Sequence, residues 1–265
     1  MKQFLLKLSI KILCVLLILF TLTYLFFILP SKSFSKTIFL GDSHFNKTYN
    51  HPDNLALGSE STFFTYLKLK QIIKKQRVDT VYLAFGYHTL SDYFLDYEQQ
   101  PIILERYFPY LPISMKLKYG WRLNYPRMIY EFGRSYLNRK NAILGSFETP
   151  PNNKFNTEKC KERTDYIFNQ HDFSKTNLNG LEKIRLLCEQ ERIKLYLVNT
   201  PLHPTFRKNI PEKFRLKYEQ VTKNFQVFHL ENQLNEDSFF LPDGDHLTMN
   251  GVDTFTNLMN KIRMK

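Results

Sequence analysis

The chain has 265 residues, 43% of them hydrophobic, with a formal net charge of +12. That is enough for one α/β domain with an appendage, and it is not the composition of a disordered or fibrous chain. The positive balance would suit nucleic acid, but lysine and arginine are spread along the chain with no zinc spacing and no nucleic-acid motif; a nucleic-acid partner is therefore excluded, and anionic lipid headgroups or an anionic glycan are the partners the charge suits.

In chain order, Lys2, Lys7 and Lys11 precede an apolar run over 12–29 that Pro30 closes. The run is about 18 residues, near the length of a membrane-crossing helix. A cleavable signal peptide would be shorter and would end in a small-residue site, so a retained anchor is the reading. The leading lysines keep the N-terminus cytoplasmic and put the rest of the chain on the outer face, against the bilayer. Residues 1–35 are thus stub, transmembrane anchor and tether, and 36–265 one domain. Cys14 lies in the anchor, and two further cysteines, Cys160 and Cys188, make no disulfide framework and are read as free thiols.

The domain begins with a strand over 38–40 that breaks at Gly41-Asp42 and lifts Ser43 clear of the sheet edge, with Asp42 stabilising the turn. A second short strand over 54–58 ends in Gly58. A helix over 61–76 turns Phe64, Leu67, Leu69, Ile72 and Ile73 to the sheet and Lys68, Lys70, Lys74 and Lys75 mostly outward. A β-prone run over 80–86 follows. From 88 to 173 the rhythm is lost in an insertion rich in Tyr, Phe and Pro, too long for a loop, with helices expected in 107–137 and a mobile polar loop over 147–162. It is a lid, a membrane-facing surface, or simply packing. A helix over 174–192, a strand over 194–199, a rigid turn at Thr200-Pro201-Leu202-His203-Pro204, a helix over 212–224, a strand over 225–230 and a helix over 250–263 complete the domain. Strands alternating with helices predict an α/β fold, a parallel sheet covered on both faces with ligands at the carboxyl ends of the strands.

Ser43 stands at such an end. A serine acts as a nucleophile only with a histidine base and a carboxylate to orient it, and Asp243-Gly244-Asp245-His246 supplies both. Asp243 is the expected acid, with Asp245 the alternative. His44 and His203 lie near the presumed site as substrate-binding or structural residues, as does Asp245. His51, His171 and His229 have no supporting context. No close ligand pair supports a metal site among His44, His88 and His246; no metal and no cofactor is assigned.

Gly41-Asp42-Ser43-His44, Gly58 and Asp243-x-x-His246 together resemble the nucleophile, oxyanion and acid–base motifs of the SGNH, or GDSL-like, hydrolase superfamily, in the same order and spacing. The resemblance covers about 36–264 apart from the insertion. It implies a flavodoxin-like three-layer α/β/α sandwich and acyl transfer through an acyl-serine, with Ser43 as nucleophile, His246 as base, Asp243 as acid and an oxyanion held by the N–H groups of Ser43 and Gly58. The family's third block carries an asparagine where Gly86-Tyr87-His88 places His88, so His88 is the expected third oxyanion donor. Membrane-tethered proteins of similar layout acylate extracellular polymers, often beside a multi-spanning acyltransferase. The expectation is an anchored acyl esterase or O-acyltransferase acting on an extracytoplasmic glycan or envelope polymer. The alternatives are a catalytically weak scaffold or glycan-binding subunit, and a lipid-acting esterase.

Overall fold

The structure, a computed structural model, describes residues 35–93 and 143–263 throughout, with positions 7, 9–11, 14, 103, 106, 107, 110–119 and 126 in addition. The chain forms two compact units, Met1–Lys32 with Glu105–Ala142 and Ser33–Leu104 with Ile143–Lys265. In chain order the elements are β1 (Thr37–Leu40), α1 (Ser43–Asn46), α2 (Thr62–Ile73), β2 (Thr80–Ala84), a 3-10 turn (Tyr87–Leu90), α3 (Ile113–Tyr119), α4 (Thr157–Phe168), α5 (Lys175–Gln190), β3 (Lys194–Asn199), α6 (Pro204–Lys208), α7 (Glu212–Thr222), β4 (Gln226–His229), a second 3-10 turn (Asp237–Phe239) and α8 (Met249–Arg263). Only α3 belongs to the first unit among these described elements.

Among the described residues the second unit holds one parallel sheet in the order β1-β2-β3-β4, with Thr37 opposite Thr80, Thr80 opposite Lys194 and Tyr196 opposite Gln226. Side chains alternate across a strand, and this alternation builds two cores. Ile38, Leu40, Val81, Leu83 and Leu197 face one side, where they meet Leu69 and Ile72 of α2, Cys160 and Ile167 of α4, Leu181 and Ile184 of α5, and Phe214 of α7. Phe39, Tyr82, Ala84 and Val198 face the other, against Val252, Phe255 and Met259 of α8. On that side one ring per strand forms a ladder: Phe39 stacks on Tyr82 at 5.0 Å, Tyr82 on Tyr196 at 5.2 Å, and Phe228 lies 5.4 Å beyond. The unit is thus an α/β fold whose parallel sheet is flanked by helices.

The elements differ from expectation at three places. Residues 54–57 form no full strand: a single parallel bridge joins Asn54 to Phe39, and Leu55 N–H and Leu57 N–H donate to the carbonyls of Phe39 and Gly41 at 2.9 and 3.1 Å. Lys68 does not point outward. Its ammonium is wholly buried 2.6 Å from Glu60 Oε2 and donates to the Leu55 carbonyl at 2.6 Å, because a buried carboxylate on the preceding turn gives it a partner. The polar segment expected to be mobile over 147–162 becomes α4 from Thr157, with the Asn156 side chain accepting from Lys159 N–H as N-cap.

The segment between Tyr93 and Ile143 is anchored at both of its ends. Ser91 Oγ donates to the Ile167 carbonyl at 2.5 Å, and Asp92 N–H to Asp172 O at 2.8 Å. On the far side Gly145 N–H donates to Leu55 O at 3.2 Å and Asn46 Nδ2 to Ser146 O at 2.6 Å. Apart from α3, most of the expected helices over 107–137 lie outside the described residues. Among the described residues no helix is long and apolar enough to cross a membrane; the run over 12–29 expected to do so lies outside them, Cys14 excepted. Cys14, Cys160 and Cys188 are free thiols.

Candidate active site

The turn after β1 is dictated by space. Gly41 has φ +135, and a Cβ there would lie 2.7 Å from the Ala84 Cβ of β2, so only glycine lets the chain leave the sheet so close to its neighbour. Asp42 then caps α1, accepting from His44 N–H at 2.9 Å, and Ser43 is the first residue of that helix. The Leu57 to Gly41 bond carries the Gly58 turn alongside the Ser43 turn, with Ser59 in the left-handed region at φ +62.

The loop before α8 brings the distant residues in. Gly244, at φ +72, makes its turn against α4, where a Cβ would meet Cys160 Sγ at 2.6 Å. Asp243 Oδ1 accepts from His246 N–H at 3.2 Å. His246 Nδ1 lies 2.8 Å from Asp243 Oδ2, and His246 Nε2 lies 2.8 Å from Ser43 Oγ. Ser43, His246 and Asp243 therefore form one hydrogen-bonded chain across 203 residues of sequence.

Asp245 adds a second carboxylate. Its Oδ1 is 3.1 Å from His246 Nδ1 but outside hydrogen-bonding geometry, so it acts on the ring by charge. Its Oδ2 accepts from Arg163 Nε of α4 at 3.0 Å. Burial would push the Asp245 carboxyl up, but Arg163 first and then His246 outweigh it and hold it well below the usual range. Burial likewise opposes the charged His246 ring, yet Asp245 and Asp243 raise it to about 10. Nδ1 thus faces the two carboxylates and Nε2 the Ser43 hydroxyl.

Beneath the serine is a second buried cluster centred on Asp42. Its Oδ1 lies 3.2 Å from His44 Nδ1 and its Oδ2 2.8 Å from His88 Nε2, and the two imidazoles stack at 3.6 Å. Burial disfavours the Asp42 charge, but His88 and then His44 bring its carboxyl far below the ordinary value. His44 is lowered to about 4 by burial and by the His88 charge.

These contacts show the surroundings of four residues for which site roles were expected. His88 Nε2 lies 2.8 Å from Asp42 Oδ2 and 3.1 Å from Thr89 Oγ1, so that nitrogen is directed at these groups. His44, Asp245 and His203 are buried, at 0%, 0% and 4% exposed. His203 caps α6, accepting from Thr205 N–H at 3.1 Å, bonds Asp237 at 3.0 Å and stacks on Phe155 at 3.6 Å. Two residues of this site went unassigned in the sequence: Arg163, whose partner lies 82 positions away, and Asp42, assigned only to the turn. The donors Asp42, His44 and His88, or His44, Asp245 and His246, stand close enough to hold a metal ion. Cys160 joins neither set, since burial and the nearby Asp245 and Asp243 push its thiol up to about 12.

No family model matches the chain, and no curated protein does. Among solved structures it is similar to a Streptococcus pneumonia protein provisionally described as a platelet activating factor, at 12% identity and TM-score 0.42 over 97% of this chain and 98% of that one. It is also similar to a Bacteroides fragilis protein provisionally described as an acylhydrolase, at 14% identity and TM-score 0.37 over 91% and 92%. Likenesses this distant carry no argument about chemistry, which rests on the geometry of Ser43, His246 and Asp243.

Proposed function

We propose that the protein is a membrane-anchored SGNH-like acyl esterase or O-acyltransferase working through an acyl-serine on an extracytoplasmic glycan or envelope polymer. The observation that carries the reading is the continuous bond chain from Ser43 Oγ through His246 to Asp243. Its position at the carboxyl end of β1 is where ligands bind in parallel sheets. With the 54–57 strip counted beside β1, the strand order also agrees with the flavodoxin-like one.

In the first step Ser43 Oγ bonds to the acyl carbonyl carbon, its proton passes to neutral His246, and the resulting oxyanion is held by the N–H groups of Ser43 and Gly58. The C–O bond to the leaving alcohol breaks as His246 returns the proton to it. Water or a sugar hydroxyl then gives its proton to His246 and attacks the acyl carbon, and the bond to Ser43 Oγ breaks as His246 passes that proton to it. Water completes an esterase and the sugar hydroxyl a transferase. Asp243 orients the ring and balances its charge. The apolar run over 12–29 favours an outward-facing domain tethered at the bilayer, which suits work on an envelope polymer beside a multi-spanning acyltransferase.

Turnover of an acetylated model ester by wild type and Ser43→Ala tests this. Loss of at least a thousandfold is expected from removing a triad nucleophile, and equal rates would refute it. The bond from His88 to Asp42 favours a second reading, a weakly catalytic glycan-binding subunit. Failure of a fluorophosphonate to label Ser43, together with measurable glycan binding, selects that one.

A further inference from the structure

The segment that carries Gly58 is held by a cation that takes no part in the triad. Leu55 N–H and Leu57 N–H bond back to Phe39 and Gly41, and the chain then reverses through Gly58 and Ser59 into α2. Ser59 lies at φ +62, a conformation that a residue with a side chain keeps only where its surroundings hold it. From within α2, Lys68 reaches back across this reversal. Its wholly buried ammonium donates to the Leu55 carbonyl at 2.6 Å and lies 2.6 Å from Glu60 Oε2, so it grips the chain on both sides of Gly58. Glu60 Oε1 in turn accepts from Thr65 Oγ1 at 2.8 Å, and Glu60 N–H donates to the Leu57 carbonyl at 3.3 Å. A buried ion pair is a poor source of stability, since an apolar pair of the same volume is often as good or better. What the ammonium adds is direction, because its N–H groups fix where the carbonyl and the carboxylate stand.

We propose that Lys68 is a positioning residue which, by tying Leu55 to Glu60, aims the Gly58 N–H at the oxyanion formed on the acyl carbon. The effect on rate rests on the acyl-serine reading; the placement of the Gly58 N–H does not. Losing an oxyanion donor outright costs about a hundredfold to a thousandfold in kcat, and a donor that is present but misaimed costs about tenfold to a hundredfold. Because this bond strengthens only as the oxyanion forms, the loss falls on kcat and leaves KM in place.

The test uses the full chain in detergent micelles with Lys68→Met and Glu60→Gln combined, which removes the cation without stranding a buried carboxylate. Should that pair not fold, as read by circular dichroism, Lys68→Met with Glu60→Met carries the same prediction. On an acetylated model ester, kcat is expected to fall by about tenfold or more with KM held within about twofold. Trifluoroacetone reads the oxyanion directly: Ser43 Oγ bonds to its carbonyl carbon, the hydroxyl proton passes to His246, and the carbonyl oxygen becomes the oxyanion. Its inhibition constant should rise by the factor that kcat loses. In 15N-glycine-labelled protein the Gly58 amide signal, assigned by its loss in Gly58→Ala, should move between wild type and the double variant. Wild-type kcat and inhibition constant in the folded variant, a loss carried by KM alone, or an unmoved Gly58 signal overturns the proposal. A wild type that neither turns over the ester nor binds trifluoroacetone through Ser43 sinks the acyl-serine reading, and the Gly58 signal then decides the placement alone.

Discussion

His44 gives the sharpest test of the buried cluster. Folded, its ring stays neutral down to about pH 4; in the unfolded chain it takes a proton near 6.5. Between those values the unfolded state binds the extra proton, so stability falls as pH falls, and below about 4 the loss is complete. At about 1.4 kcal/mol for each pH unit, the window from 6.5 to 4 is worth about 3 kcal/mol, a large share of a typical folding free energy. The perturbation is His44→Asn, whose amide can still donate to Asp42 from where Nδ1 stood but does not titrate. Urea unfolding followed by circular dichroism at pH 4, 5, 6 and 7 reads the outcome. Wild type should lose about 3 kcal/mol across the series beyond what the variant loses. Parallel curves would refute the assignment of the acid limb to His44, and with it the neutral imidazole held against His88.

The alkaline side should behave in the opposite sense. His246, held up to about 10, binds its proton more tightly folded than unfolded, so its contribution is full below 6.5 and is lost as pH rises to about 10; over the same range kcat/KM should climb about tenfold per pH unit as the neutral base appears, and a rate plateau below pH 8 would contradict this. Lys68→Met should cost about 3–5 kcal/mol in urea unfolding by stranding buried Glu60, while Lys68→Met with Glu60→Gln should recover much of it; equal costs for single and double would mean that the pair is not coupled. Gly41→Ala should abolish both turnover and fluorophosphonate labelling, since its Cβ would sit 2.7 Å from the Ala84 Cβ; a fully active Ala variant would disprove the tight crossing.

Legibility followed the range of the interaction. The strand at 194–199 and the helix ending at Arg263 are written in local alternation and apolar spacing, and both occur within a residue of where that spacing puts them. Helix α4 escaped because its buried residues, Cys160, Thr164, Ile167 and Phe168, put their two strongly apolar side chains only in its last turn, far from Pro150-Pro151-Asn152-Asn153 where the segment begins. Lys68 read as an outward cation and Arg163 drew no assignment, because the carboxylates that pair with them are reached only through the fold. The order Ser43, Asp243, His246 was readable from the chemistry such a serine needs. The burial of His44 and the bond that holds His88 were not, since a histidine beside a nucleophile looks the same in sequence whether it faces a ligand or a carboxylate.

The ends anchored at Ser91–Tyr93 and Ile143–Ser146 have a consequence for how the protein can vary. Between β2 and β3 lie roughly a hundred residues, yet the two strands stack Tyr82 on Tyr196 in direct register. Loop-closure entropy grows only logarithmically, about 0.6 kcal/mol for each doubling of length. Asp92 is tied to Asp172, and Gly145 to Leu55, so Tyr93 and Ile143, the two points where the chain leaves and rejoins this part of the fold, are fixed whatever length of chain joins them.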